Sequence, residues 1–391
     1  MKKSNPMSQQ HATGILLASL VLPGLVALAG FAPLSAVAEN APEKTTIAIK
    51  YGIYDDGQAG WDRVSVKAPH VYVQAPIGSE WALEGSWVGD SVSGASPRWH
   101  SQKSGASRMS DYRSASDLKV TRYFPRAAVS ASVAYSDEHD YTSTAIGLDA
   151  RWSSEDNNRT WTVGYGTSND SIDNSLTLGT AIDKHKRTHE YMAGVTQVLT
   201  PTDIAQLNLT RSVGSGYFTD PYKLFDQRPE QRNTWIALAR WNHYVERFDA
   251  AIHSSYRYYS DTFGVNSHTF GVEWVQPIGK WTFTPGVRYY SQSAANFYFD
   301  AVLDAQGQYD LGATLAPTGN MTYKSADQRL SAFGAVTLSI KASYAVTPNT
   351  VVDVKFENYR QTSGLHLGGS GSPGLDTFNA NFTQVGLTHR F

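Results

Sequence analysis

The sequence predicts an all-β protein: a transmembrane, antiparallel, up-and-down β-barrel of about sixteen strands, with fourteen as the alternative count. Three observations carry this. After the first 38 residues the chain alternates apolar and polar side chains at a period of two, the pattern of a strand with different environments on its two faces. Past that point no apolar run reaches the roughly 20 residues that a spanning helix needs. The composition holds 10 Trp and 22 Tyr and no Cys, an aromatic load suited to interfacial belts in a chain without disulfides. A membrane protein lacking spanning helices must close its sheet on itself, because hydrocarbon satisfies no free backbone group.

Residues 1–38 open with Lys2 and Lys3, run through the apolar stretch Gly14 to Leu34 and end on Ala36-Val37-Ala38. A basic start, an apolar run and a small-x-small exit read as a cleaved secretory signal. Pro23 and Pro33 interrupt the run, which favours cleavage over a membrane anchor, and Glu39 stands where lipoprotein processing would need Cys. The expected product is a single barrel domain over residues 39–391. Its net charge of −2 gives no bulk attraction to nucleic acid.

The strands follow in order. Thr45–Tyr54 turns Ile47, Ile49, Tyr51 and Ile53 one way. Trp61–Gln74 alternates with a face that flips after Ala68-Pro69, predicting a bulge. Glu80–Gly89 groups Trp81, Leu83 and Trp87 against Glu84. Asp117–Phe124 turns at Pro125-Arg126 into Ala127–Ser136, where Val129, Val133 and Tyr135 oppose Ser130 and Ser132. Asp140–Trp152 sets Ile146, Leu148 and Trp152 against Asp149 and Arg151. Asn158–Thr167 sets Trp161, Val163 and Tyr165 against Thr and Gly. His189–Leu199, Thr202–Val213, Arg232–His243, Phe248–Tyr259, Gly264–Gln276, Lys280–Ser291, Leu330–Ala345, Thr350–Gln361 and Phe378–Phe391 complete the set.

The connections give an independent signal. Links from even to odd strands are all short, such as Pro125-Arg126, Thr200-Pro201 and Pro277–Gly279. Every long link runs from odd to even: Asp90–Ser116, Ser168–Thr188, Gly214–Gln231, Gln292–Arg329 and Thr362–Thr377. Segregation by parity is the arrangement of outer-membrane barrels, with short periplasmic turns and long extracellular loops. The chain closes on NFTQVGLTHRF (381–391), whose Phe391 resembles the C-terminal aromatic that marks bacterial barrels for the assembly machinery.

Two clusters carry chemistry. The segment Ser255-Tyr-Arg-Tyr-Tyr-Ser260 recurs as Val287-Arg-Tyr-Tyr-Ser291. With Tyr258 and Tyr289 toward lipid, Arg257 and Arg288 face the lumen, and the same alternation turns Asp249, His253 and Glu273 inward. A charge facing hydrocarbon at the midplane costs about 2–4 kcal/mol, so inward placement is the reading. Together with Asp149 and Arg151 these residues either brace the wall as an ion-pair network or form a charged constriction that selects solutes. The second cluster is Asp137, Glu138, His139 and Asp140, followed by Ser143, at an outer hairpin. Carboxylates and an imidazole can hold a cation, but no further ligands accompany them, and a turn capped by its Asp side chains accounts for the sequence. No Gly-x-Ser-x-Gly elbow supports a hydrolase built on His139 and Ser143. Gly368 to Gly374 is not a phosphate loop, since no Lys-Ser/Thr pair follows it. No cofactor or metal is indicated.

The stretches SVSGASPRW (91–99), SDEHDYTS (136–143), DQRPEQR (226–232), YRYYSDTFGVNSHT (256–269) and VRYYSQSAANFY (287–298) resemble an uncharacterised family of Gram-negative outer-membrane barrels, catalogued as a domain of unknown function. The resemblance covers nearly the whole chain after the signal. It implies an outer-membrane barrel with no assigned activity and no catalytic residues. Members of that family are often encoded near periplasmic flavin-transfer and thioredoxin-like proteins, so the resemblance also implies a link to an extracytoplasmic redox or metal system, in which a periplasmic protein would be the partner. The expected role is a non-enzymatic channel or transport component for small polar solutes or ions, embedded in outer-membrane lipid. The alternative is a structural barrel anchoring such a partner, and an outer-membrane hydrolase comes third.

Overall fold

The computed structural model describes residues 40–58, 61–95, 108–174, 182–220, 226–300, 302 and 310–391. The segment 1–38 lies outside them, as does most of the stretch 91–107. Sixteen strands form one closed antiparallel barrel in which each strand pairs with its neighbours in sequence. They are β1 (Thr46–Gln58), β2 (Trp61–Ile77), β3 (Trp81–Ala95), β4 (Arg108–Phe124), β5 (Ala127–Asp137), β6 (Tyr141–Ser153), β7 (Arg159–Asn174) and β8 (Ile182–Thr200). Then come β9 (Asp203–Gly216), β10 (Gln231–Val245), β11 (Ala250–Asp261), β12 (Asn266–Ile278), β13 (Trp281–Gln292), β14 (Phe333–Thr347), β15 (Thr350–Thr362) and β16 (Phe378–Arg390). Closure is made by β1 on β16, with Thr46 opposite Arg390 and Gln58 opposite Phe378. The Phe391 N–H extends that ladder by donating to the Thr45 carbonyl at 2.9 Å. Closure leaves no sheet edge, which is what permits strands in hydrocarbon. Among the described residues no helix is long and apolar enough to cross a membrane.

Burial is inverted relative to a soluble protein. Ile146 and Leu148 are exposed at 55% and 58%, and Val129, Leu209, Leu338 and Val354 are exposed with them. Polar residues on the opposite faces are buried, including Lys50, His70, Ser130, Asp353 and Glu357. Hydrocarbon is the solvent that rewards this pattern. Aromatic rings gather at both ends of the outward face. Trp81, Phe124, Trp152, Trp241 and Trp281 lie toward the short turns, and Tyr135, Tyr191, Trp235 and Phe270 toward the long loops.

Two sequence expectations are corrected. β4 begins at Arg108, not at Asp117, and pairs with β3 out to Ala95, so this hairpin extends beyond its apolar portion, where alternation has no lipid to mark it. No bulge lies at Ala68-Pro69; the register of β1 against β2 shifts between Asp56 and Gly57 instead. The apparent flip arises because Val66 and Ala68 are apolar residues facing inward. They are 3% and 5% exposed, and Ala68 packs on Phe382 with Tyr54 and Val88.

The long-loop end carries a folded cap. Phe263, Val265, Ala295, Phe297 and Leu330 form an apolar cluster against Phe218, Tyr259 and Tyr298. Short bridges join Gln227 to Lys324 and Tyr298 to Ser325. The Gln292 amide donates to the carbonyls of Arg329 and Ser331 at 3.0 and 2.7 Å. The Ala332 N–H donates to the Ser372 hydroxyl at 2.9 Å, and the Leu367 N–H to the Ser291 hydroxyl at 2.8 Å. Described parts of the loops after β9, β13 and β15 are thereby consolidated into one body. It reaches the closing seam through Gln58, whose amide lies 3.3 Å from Gln328 and 3.4 Å from the Asp376 carbonyl.

Candidate functional site

Register fixes which residues face the lumen, because directly opposed residues in an antiparallel pair share a face. On β11, Tyr256 and Tyr258 pair with Ala239 and Ala237, on the same face as exposed Trp235 and Trp241. The alternate residues His253, Ser255, Arg257 and Tyr259 therefore point inward. The face continues through Glu273, opposite His253, and Arg288, opposite Gly271 and Thr337. Asp149 and Arg151 of β6 face the lumen on another sector, opposite Gly164 and Thr162. Asp149 forms an ion pair with Lys119 at 3.2 Å. Asp249 departs from the expected set. It sits in the short turn before β11 with φ of 49°, and its carboxylate accepts the Tyr244 hydroxyl at 2.5 Å. A turn residue in that conformation interrupts the alternation on which its inward assignment depended.

The two arginines differ from most lumen cations. Arg113 pairs with Asp90, Lys186 with Asp170 at 3.1 Å and Arg232 with Asp261 at 2.7 Å. Arg257 and Arg288 make no ion pair within 4.0 Å among the described residues. Arg288 donates to the Thr337 hydroxyl at 3.1 Å, and the Arg257 guanidinium lies over the Tyr259 ring at 5.4 Å. Both are only partly buried, and inward-facing Glu273 two strand positions away is exposed. Water-sized space therefore adjoins this sector of the wall. The remaining donors of the two guanidiniums are available to a planar anion, the geometry that bidentate recognition requires.

A second charged patch occupies the seam and was not singled out from the sequence. Lys50 of β1, Lys341 of β14 and Lys355 of β15 are near enough to repel one another, with Asp353 attracting both Lys50 and Lys341. Lys355 bonds Glu357 at 2.9 Å. Lys50, His70, Asp353, Lys355, Glu357 and Gln384 are each under a tenth exposed although all face inward. The inward glycines opposite them leave space for this packing. A Cβ on Gly386 would stand 2.7 Å from the Asp353 carboxylate, and one on Gly52 would stand 3.0 Å from the Phe382 ring. Both ring nitrogens of His70 lack hydrogen-bond partners among the described residues. The available signal was Asp353, Lys355 and Glu357 at i, i+2 and i+4 between Val352, Val354 and Phe356. The lumen is thus asymmetric, with a packed ionic seam over β14–β1 and a more accessible arginine sector beside it on β11–β13.

The acidic outer hairpin does not converge. Asp137 accepts the hydroxyls of Tyr135 and Thr142 at 3.3 and 3.2 Å, while Glu138 reaches Arg113 at 3.8 Å. His139 is exposed and Asp140 half-buried. Among the described residues no group of three or more potential ligands could hold a metal ion. Ser143 donates to Asp170 at 2.6 Å as part of the inner wall. Phe391 is 64% exposed and stacks edge-on against His389, with ring centroids 4.5 Å apart.

Comparison with known proteins agrees with this architecture. Residues 101–382 match the profile of a family described as a protein of unknown function (DUF3570). No curated protein matches the sequence. Among solved structures, the chain is similar to CdiB from Acinetobacter baumannii, with a TM-score of 0.51 and 8% identity over 88% of this chain and 60% of that one. It is also similar to a bacterial polysaccharide outer membrane secretin, with a TM-score of 0.49 and 9% identity over 91% of this chain and 100% of that one. Pseudomonas aeruginosa OccK1 (OpdK) gives a TM-score of 0.44 and 8% identity over 89% and 98%. At such identities the likeness is one of fold.

Proposed function

The chain belongs to this family of unknown function, and from the geometry of its lumen we propose that it is a non-enzymatic outer-membrane conduit for small polar solutes, favouring anions. The observation that carries the reading is the pair Arg257 and Arg288. Both face inward and neither forms an ion pair within 4.0 Å among the described residues; buried Glu190 attracts Arg257 from further off, and exposed Glu273 lies in the same sector. A wall built only for bracing would pair these charges, as it pairs Arg113, Lys186 and Arg232. Sixteen strands enclose enough section for an aqueous path. The packed seam narrows that path from one side, and the cap narrows the long-loop mouth.

In this reading the short turns and both chain ends lie in the periplasm and the cap faces outward. Selection would act through field and donor geometry at a constriction, as rings of charged side chains do in anion pores. The test is reversal potential in planar bilayers under a salt gradient. Wild type is expected to favour the anion, and replacing Arg257 and Arg288 by Ala is expected to abolish or reverse that preference. A fully inserted barrel that never conducts would eliminate the reading.

A further inference from the structure

We propose that the lipid-facing wall of β6–β9 carries a binding site for the phosphorylated headgroup of an outer-leaflet glycolipid. A groove of about 460 Å³ opens at the long-loop end of these strands, lined by Thr144, Asn169, His185, Arg187 and Ser215 among others. Register places these side chains outside the barrel: Arg187 is opposite Asn169 and Ser215, and Asn169 is opposite Thr144. They continue the face that carries exposed Val163 and Leu209 nearer the middle of the wall.

The order along that face is what identifies the ligand. Exposed apolar residues come first, then an aromatic level in which the Tyr165 hydroxyl and His189 lie 2.9 Å apart and the Arg211 guanidinium covers the Trp235 ring at 4.9 Å. The polar groove lies above it. Aromatic belts mark the headgroup level of a bilayer, so the groove sits where phosphates lie. A cation on a lipid-facing wall is tolerated at that depth and not deeper.

Exposed Arg187 makes no hydrogen bond or ion pair among the described residues. Asn169, Ser215 and Thr144 add neutral donors around it, a set suited to phosphate oxygens. Of the neighbouring charges two cations are paired, and exposed Asp173 stands opposite Asp183 beyond the groove. His185 pairs with Asp183 at 3.3 Å at the upper edge, and Lys186 pairs with Asp170 at 3.1 Å on the inner face. The lipid source rests on the orientation given above, but binding itself is independent of conductance.

The test uses the refolded full barrel in phosphatidylcholine nanodiscs doped with diphosphoryl lipid A or its dephosphorylated form, with retained glycolipid counted by native mass spectrometry. Wild type is expected to retain the phosphorylated form about tenfold better, the factor for one charge-assisted contact. Arg187→Ala should lose that preference and Arg187→Lys should keep part of it. Arg159→Ala, at the opposite end, should leave it intact. Heat-modifiable gel migration verifies that each variant is folded. Equal retention of the two glycolipids, an unchanged preference in Arg187→Ala, or displacement by millimolar inorganic phosphate would overturn the proposal.

Discussion

The Arg228 guanidinium donates to Asp327 at 2.8 Å across 99 positions of sequence, tying the loop after β9 to the loop after β13. Asp327 is 1% exposed and also receives Arg329, whose Nε lies 2.8 Å away, while Arg329 reaches Asp220 as well. Arg228 bonds Asp226 in addition, at 2.8 Å. Burial raises the Asp226 carboxyl above its ordinary range, and Arg228 opposes that shift. Two arginines and three aspartates thus hold the cap together.

Removing the hub should open the cap without unfolding the barrel. Asp327→Ala leaves Arg228 on Asp226 alone and Arg329 on Asp220 alone, a loss of about 1.5–3 kcal/mol for each charged hydrogen bond removed. The expected outcome is faster hydrogen exchange in residues 293–300 and 326–332 with unchanged exchange in β5 and β6. Larger single-channel steps should accompany it.

Gly334 tests the same junction sterically. A Cβ there would overlap the Leu365 backbone carbonyl, so Gly334→Ala must push the loop after β15 away from the rim. Overpacking of this kind costs about 1–3 kcal/mol. Proteolysis within residues 363–377 should accelerate in this variant, and the 2.6 Å bond from the Tyr289 hydroxyl to the Leu365 carbonyl should be lost. Gly368→Ala, whose added Cβ meets nothing but whose φ is 84°, should strain only its own turn.

The fold was legible because lipid imposes a strict period of two. Ile146, Leu148 and Trp152 could not have faced the lumen without exposing Asp149 and Arg151 to hydrocarbon. Strand count and loop parity followed from the same constraint. Where lipid is absent the code weakens. β4 runs nine residues earlier than Asp117 in a region with no apolar face to mark it. Val66 and Ala68 misled because the lumen is apolar where Phe382 fills it. The Asp327 hub joins loops whose composition records nothing of their contacts.

Breaking the seam pair should be costly in a way that its double replacement is not. Lys355 and Glu357 are 8% and 7% exposed, so Glu357→Ala strands a buried ammonium and should cost about 3 kcal/mol in urea unfolding. Adding Lys355→Met should recover most of that loss. Additive destabilisation in the double variant would show that the two side chains are not coupled.

Acid should weaken the short turn between β6 and β7 as the Asp156 carboxylate is neutralised. The Ser154 hydroxyl and the backbone and side-chain N–H groups of Asn158 hold the Asp156 carboxyl at about 2, below its ordinary 3.8. A lowered value means the carboxylate stabilises the folded turn above pH 3.8, and the contribution disappears as pH falls through about 2. NMR shifts of Asn158 should titrate in that window, and Asp156→Asn should remove the titration.

The most direct test of the lumen assignment is reversal potential of the refolded protein in planar bilayers with a tenfold salt gradient. The expected result is anion preference in wild type, lost in Arg257→Ala with Arg288→Ala and retained in Arg159→Ala. Identical selectivity in wild type and the double variant, measured on open channels, would contradict the assignment of those two arginines to the conduction path.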